Sequence, residues 1–268
     1  MELLKGKVAI VTGAAHPLGM GFSGAKKMAE AGAKVVITDM VREPQHQANI
    51  EARAAELRDA GFEAIALPVD VTNREQINAC VEKTIEHYGR IDILFNNAGS
   101  PAGVGDFLEM TDQQWDISYQ VNVKGVVNFC QAVIPHMQKA GGGSIINNSS
   151  LLGLGALAHT AGYCATKFAL IGLTKTLACE FGKDNIRVNA ICPGNIWTQM
   201  SELEVDLHVN AGEGTRAEVT QKLVDDVALG RWGKADDIGN AVVFLASDMG
   251  SYLSGVSLPV AGGLASGL

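Results

Sequence analysis

Short apolar runs punctuate the chain at regular intervals. The first, Lys7 to Thr12 (Lys-Val-Ala-Ile-Val-Thr), is β-branched and ends at Gly13; others follow at 34–39, 63–68, 91–96, 144–148, 186–192 and 256–260. They are apolar throughout rather than alternating, as parallel strands covered on both faces are. Helical stretches lie between them at 19–31, 44–60, 73–88, 112–138, 160–182 and 235–247, with Gly32 and Gly61 stopping the first two. The clearest is 160–182, where Phe168, Ile171, Thr174, Leu177, Ala178 and Phe181 recur at spacings of three and four. Strands alternating with helices through right-handed crossovers predict an α/β fold: one doubly wound parallel sheet of about seven strands with helices on both faces. Nothing divides the 268 residues, so residues 1–268 are expected to form a single domain.

One segment breaks the rhythm. Residues 197–230 contain no strand, are acidic (Glu202, Glu204, Asp206, Glu213, Asp225, Asp226) and are loosened in the middle by Gly212 and Gly214. A stretch this long after a strand's carboxyl end predicts a partly helical lid over a substrate site.

The net charge of −8, with no basic run, excludes nucleic acid and an anionic membrane as main partners. The cysteines at 80, 130, 164, 179 and 192 are odd in number and lack Cys-x-x-Cys spacing, so buried reduced thiols are expected rather than disulfides or zinc. The histidines lack ligand spacing too, and no metal site is expected. With no run of 18 apolar residues and no cleavage pattern, the expected location is the cytoplasm.

Candidate chemistry begins at Tyr163 and Lys167, which sit at i and i+4 on one face of the 160–182 helix. A phenol ordinarily titrates near 10, and bringing it about three units lower takes roughly 4 kcal/mol. A cation a few ångströms away in a partly desolvated pocket can supply much of that. An ordinary surface pair has the same spacing, so the assignment depends on what else reaches the pocket. The turn after the first strand, Thr12-Gly13-Ala14-Ala15-His16-Pro17-Leu18-Gly19-Met20-Gly21, joins strand to helix, where glycines let backbone approach a diphosphate. Its spacing, Gly-x5-Gly-x-Gly, is unusual. Asp39, at the end of the second strand, is placed to accept from both ribose hydroxyls of an adenosine and to repel a 2′-phosphate, which favours NAD over NADP.

With these motifs in order, the chain resembles the short-chain dehydrogenase/reductase family, with its Rossmann-like sheet, across essentially its whole length. Asn96-Asn97-Ala98-Gly99 resembles the family's sheet-stabilising Asn-Asn-Ala-Gly beside the cofactor. Asp70-Val71 resembles its adenine-contacting pair, and Pro193-Gly194-Asn195-Ile196-Trp197-Thr198 its Pro-Gly-x-x-x-Thr, in which Ile196 and Thr198 would hold the nicotinamide carboxamide. Two departures stand out. The glycine loop is two residues longer than the family's Gly-x3-Gly-x-Gly, most simply by His16-Pro17, expected to form a bulge; the alternative places His16 by the phosphates. Ala261 stands where the family often has Asp.

The resemblance implies a catalytic set of Asn122, Ser150, Tyr163 and Lys167. Tyr163 would be the base, Lys167 would favour its phenolate and bind the nicotinamide ribose, and Ser150, 13 residues before Tyr163, would bond the substrate oxygen; Ser149 would be structural. Asn122 would sit where its helix is locally opened around a proton-relay water. The cofactor set is Gly13, Leu18, Gly19, Met20, Gly21, Asp39, Asp70, Val71, Asn97, Ala98, Gly99, Tyr163, Lys167, Pro193, Gly194, Ile196 and Thr198. Ser150, Leu152, His159, Tyr163, Asn195 and Trp197 would meet substrate, with Ser100, Pro101 and Leu154 as further walls. The expected activity is hydride transfer between NAD and a secondary alcohol, polyol or sugar. Alternatives are a 3-oxoacyl-thioester reductase and, less so, a non-catalytic NAD-binding regulator. The resemblance also implies a homotetramer built on 112–138 and 160–182.

Overall fold

The structure, a computed structural model, describes residues 2–264. β1 (Val8–Val11), β2 (Lys34–Asp39), β3 (Ala64–Pro68), β4 (Ile93–Asn96), β5 (Gly143–Asn148), β6 (Ile186–Pro193) and β7 (Ser257–Val260) form one all-parallel sheet in the order β3-β2-β1-β4-β5-β6-β7. Helices cover both faces: α1 (Met20–Glu30), α2 (Pro44–Asp59), α3 (Arg74–Tyr88), α4 (Asp112–Tyr119), α5 (Gly125–Lys139), α6 (Ala161–Phe181), α7 (Gln199–Asn210), α8 (Arg216–Asp225) and α9 (Ala235–Ala246).

Alternate residues of each strand serve alternate faces. Ala9, Val11, Val35, Ile37, Ile93 and Phe95 pack with Phe22 and Met28 of α1, Ile50 and Leu57 of α2, and Ile238 and Val242 of α9. Ile10, Val36, Leu94 and Ile145 point the other way, into Ile77 of α3, Phe129 and Met137 of α5 and Leu170 of α6. Both layers are thus filled by the apolar runs, and Pro259 is tolerated because β7 is an edge strand, where a missing N–H breaks no outer ladder.

Strand order reverses between β1 and β4, the switch point at which a crevice opens beyond the carboxyl ends of a doubly wound sheet. The sequence predicts one helix over 112–138. Instead α4 and α5 are joined by a π-helical turn, Gln120–Lys124, closed by Gly125 N–H donating to Gln120 O. Residues 197–230 hold α7 and α8, split at Gly212 and Gly214, which adopt φ of 79° and 138°. Cys80, Cys130, Cys164 and Cys192 are buried free thiols, but Cys179 is exposed, because it falls on the outward side of α6. Among the described residues no helix is long and apolar enough to cross a membrane.

Candidate active site at the carboxyl edge

The loops after β1, β4 and β5 meet at the switch point, and amides hold them. Asn97 Nδ2 donates to Thr12 O (3.0 Å) and Gly13 O (2.8 Å), while the Asn97 and Ala98 N–H groups both donate to Thr12 Oγ1 at 3.0 Å. Deeper in, Asn96 Nδ2 donates to Asn147 Oδ1 (2.9 Å) and Asn147 Nδ2 to Thr174 Oγ1 of α6 (2.9 Å). The approach is tight enough to require glycine. Gly13 has φ of 66°, and a Cβ there would lie 2.7 Å from Ala98 Cα; one on Gly21 would lie 2.4 Å from Gly13 O.

The helix that follows is built for an anion. α1 starts at Gly19 with no side-chain cap and no acid in its first turn, whereas α3, α4 and α8 are capped by Asn73, Thr111 and Thr215. Its first amides and dipole therefore face the crevice uncompensated by side chains. His16 and Pro17 are absorbed in a local turn: His16 O accepts from Gly19 N–H (3.0 Å) and His16 Nδ1 from Leu18 N–H (3.2 Å). Asp39 closes the loop's other side, its Oδ2 accepting from Ala15 N–H (2.9 Å) and its Oδ1 from Met40 N–H (2.8 Å). Asp70 turns inward on its own loop, accepting from the N–H and hydroxyl of Thr72, and Val71 packs on Gly125 of α5.

Tyr163 lies in the first turn of α6, where the helix dipole favours an anion, and its N–H donates to Gly103 O (3.0 Å). One turn later Lys167 is 4% exposed, its Nζ donating to Asn148 O (2.8 Å) and standing 5.3 Å from the centre of the Tyr163 ring. Burial pulls the Lys167 ammonium down to about 8, against a small opposing pull from the Cys192 thiol. Asn122 is on the π turn, also buried, with Oδ1 accepting from Ser100 N–H (2.7 Å) and Nδ2 donating to Ser100 O (3.0 Å) and Thr166 Oγ1 (3.1 Å). A Cβ placed on Gly99 would be 3.5 Å from Asn122 Oδ1 and 3.8 Å from Lys167 Nζ, so these three positions converge. Ser150 begins a short 3₁₀ turn and its Oγ accepts from Leu152 N–H (3.1 Å), which leaves the hydroxyl hydrogen to donate. Ser149 instead donates to Lys167 O (2.9 Å), bracing α6 as expected of a structural residue.

A chain whose apolar strands carry a glycine loop, an Asn-Asn-Ala-Gly turn and a half-buried Tyr163 beside a buried Lys167 to one crevice can be placed by comparison. The family model described as Enoyl-(Acyl carrier protein) reductase matches residues 13–265. The chain is 38% identical to Dehydrogenase/reductase SDR family member 4 of Caenorhabditis elegans, over 97% of this chain and 95% of that protein. The chain belongs to the short-chain dehydrogenase/reductase family. It is also 36% identical to the 3-oxoacyl-[acyl-carrier-protein] reductase of Thermotoga maritima, over 97% of this chain and 98% of that one. The 2,5-dichloro-2,5-cyclohexadiene-1,4-diol dehydrogenase of Sphingobium indicum is 36% identical as well, over 99% and 98%. As a short-chain dehydrogenase/reductase the protein is an oxidoreductase, of a family that uses nicotinamide cofactors and small-molecule substrates.

The remaining family positions divide by what they touch. Ile196 is buried and bridges Gly233, Ala261 packs against Gly194, and Thr198 N–H donates to Ser201 Oγ (2.7 Å). Asn195 Nδ2 donates to Leu223 O of α8 (2.9 Å), and Trp197 meets Trp232 edge to face at 5.1 Å. Leu154 packs with Ile171, Ala190 and Cys192 rather than lining a cleft. His159 is exposed, with φ of 62°, its carbonyl accepting from Gly105 N–H. Ser100, expected as a pocket wall, is gripped by Asn122 through both its backbone groups, and one participant, Asn148, escaped the sequence reading. Consecutive asparagines at the end of an apolar strand were the available signal for it.

Proposed function

We propose that this protein is an NAD-dependent dehydrogenase moving hydride between the nicotinamide and a secondary alcohol, polyol or sugar. The observation that carries the reading is the buried Lys167 ammonium beside the Tyr163 ring in the first turn of α6. Two positive influences, the ammonium and the helix terminus, favour the phenolate there, and a phenolate takes a hydroxyl proton. Ser150 donates to the substrate oxygen as it becomes a carbonyl, and Asn122 with Lys167 completes the path by which the proton leaves. Bound NAD would supply the hydride acceptor. The loop suits it: the amides of Met20 and Gly21, which no side chain caps, would receive the diphosphate behind Gly13 with Leu18 and Gly19 beside it, Asp39 on the adenosine ribose and Asp70 and Val71 by the adenine. Asn97, Ala98 and Gly99 would border the nicotinamide half, and Pro193, Gly194, Ile196 and Thr198 its carboxamide.

The carboxylate of Asp39, held against Ala15, supports NAD over its 2′-phosphorylated form. In this reading residues 1–268 act as one domain, and 197–230 close over a pocket walled by Leu152, His159, Asn195 and Trp197. Exposed Ile117, Tyr119 and Phe168 on α4, the π turn's approach and α6 support assembly into a homotetramer through these helices. The protein would work in the cytoplasm. A second reading, reduction of 3-oxoacyl thioesters, is favoured by the Thermotoga maritima relative. Absorbance at 340 nm against secondary alcohols, polyols, sugars and hydroxyacyl thioesters, each with NAD and NADP, separates the two. Turnover of one alcohol class with NAD is expected; turnover of thioesters with NADP would establish the second reading instead.

A further inference from the structure

Asn148 is 5% exposed at the end of β5, and its amide is only half satisfied. Nδ2 donates to Asn97 Oδ1 (3.0 Å), while Oδ1 is buried with no partner. The orientation follows from the neighbours. Asn97 must turn its Nδ2 to the carbonyls of Thr12 and Gly13, so its Oδ1 faces Asn148 and requires a donor there. An orphaned buried acceptor is costly, and an apolar side chain at 148 would avoid it. What the amide alone provides is the link to Asn97. The main chain of the same residue receives Lys167 Nζ (2.8 Å). One residue therefore touches both halves of the crevice: the ammonium through its carbonyl, and the glycine loop through Asn97.

We propose that Asn148 is a positioning residue for dinucleotide binding, its side chain fixing the Asn97 carboxamide that in turn sets the Thr12-Gly13 backbone facing the cofactor. The proposal rests on the nicotinamide-dinucleotide reading above but not on which alcohol is oxidised, nor on NAD over NADP. Loss of the link leaves Asn97 Oδ1 without its donor and the carboxamide held through Nδ2 alone, and the loop then samples shapes that do not match the diphosphate. Lys167 keeps its backbone anchor, so the catalytic pair is disturbed less than the loop.

The test is a double-mutant cycle of Asn148→Leu and Asn97→Ala on the full chain, read by direct titration of NAD and of NADP and by thermal melting. Asn148→Leu is expected to raise the dinucleotide Kd about five- to tenfold, the size of one hydrogen bond, with little change in melting, because the orphan at buried Asn148 Oδ1 is exchanged for one at the half-buried Asn97 Oδ1. In the Asn97→Ala background the same substitution should raise Kd less than twofold. The pH profile of turnover at saturating dinucleotide should keep its shape in Asn148→Leu. Equal, additive effects in both backgrounds would overturn the proposal, as would a fall in melting temperature with Kd unchanged, which would make Asn148 a purely structural residue. Should the wild-type protein bind neither dinucleotide, the functional reading itself fails and takes this proposal with it; binding with no coupling removes the proposal alone.

Discussion

The floor of the crevice and the segment holding α7 and α8 are built on opposite principles. On the floor Asn96, Asn122, Asn147, Asn148 and Lys167 are each no more than 5% exposed and linked by amide and ammonium hydrogen bonds between β4, β5, the π turn and α6. In α7 and α8, Ser201, Val205 and Val219 are the buried members among the described side chains, and the segment is held by surface contacts such as the Asp206–Arg216 ion pair and the His208–Glu213 hydrogen bond. Exposed pairs contribute at most about 1 kcal/mol each, whereas a buried amide that loses its partner costs about 1–3. The floor can therefore hold its groups in place, while α7 and α8 can be displaced at little cost.

Substitutions break or sharpen this contrast in descending order. Tyr163→Phe deletes the hydroxyl proposed as the base and is expected to lower kcat at least a thousandfold with dinucleotide Kd within about twofold; retained turnover, measured at 340 nm, would remove the proposed base. Lys167→Met tests the strain on the buried ammonium. Folding pulls its pKa down from 10.5 to about 8, so between those values the unfolded chain binds more protons and stability rises with pH. Below pH 8 the charge costs the folded wild type about 3 kcal/mol, a cost that fades toward pH 10. The Met variant should thus gain in relative stability at pH 7 and lose that gain by pH 10, with the Tyr163 and Cys192 groups common to both chains. A pH-independent gap in denaturant melts would show that the charge is not strained.

Two asparagines make the matched comparison. Asn147→Leu leaves Asn96 Nδ2 with only the weak Cys130 Sγ acceptor and takes the donor from the Thr174 hydroxyl, and should cost about 2 kcal/mol in denaturant unfolding. Asn195→Ala removes a single bond to Leu223 O and should cost under 1 kcal/mol while raising KM for the alcohol severalfold. Equal destabilisation by the two would erase the distinction between floor and lid.

Much of this was readable in the sequence because the signals are local. Seven apolar runs and their glycine stops locate the strands, Tyr163 and Lys167 show their shared face by spacing, and Gly212 and Gly214 mark the break between α7 and α8. The π turn was invisible to periodicity, since Val121 and Val123 keep the text of 112–138 apolar and continuous. The turn at His16-Pro17 could be counted but not shaped, because its form depends on Nδ1 of His16 meeting Leu18 N–H. The role of Asn148 depends on which strands lie beside β5, a matter of sheet order that no local pattern carries.

The π turn also changes how this stretch tolerates evolution. A helix advances about 100° per residue, so the extra residue in Gln120–Lys124 puts the faces of α4 and α5 out of phase. That offset lets α4 lie on α6 while α5 lies on α3, two partners that a single straight helix of this composition would not address together. Removing one residue from 120–124 would regularise the backbone yet rotate everything before it by that angle, carrying Asn122 away from Ser100 and Thr166. What this turn depends on is a residue count, so a one-residue deletion here would be more damaging than most substitutions.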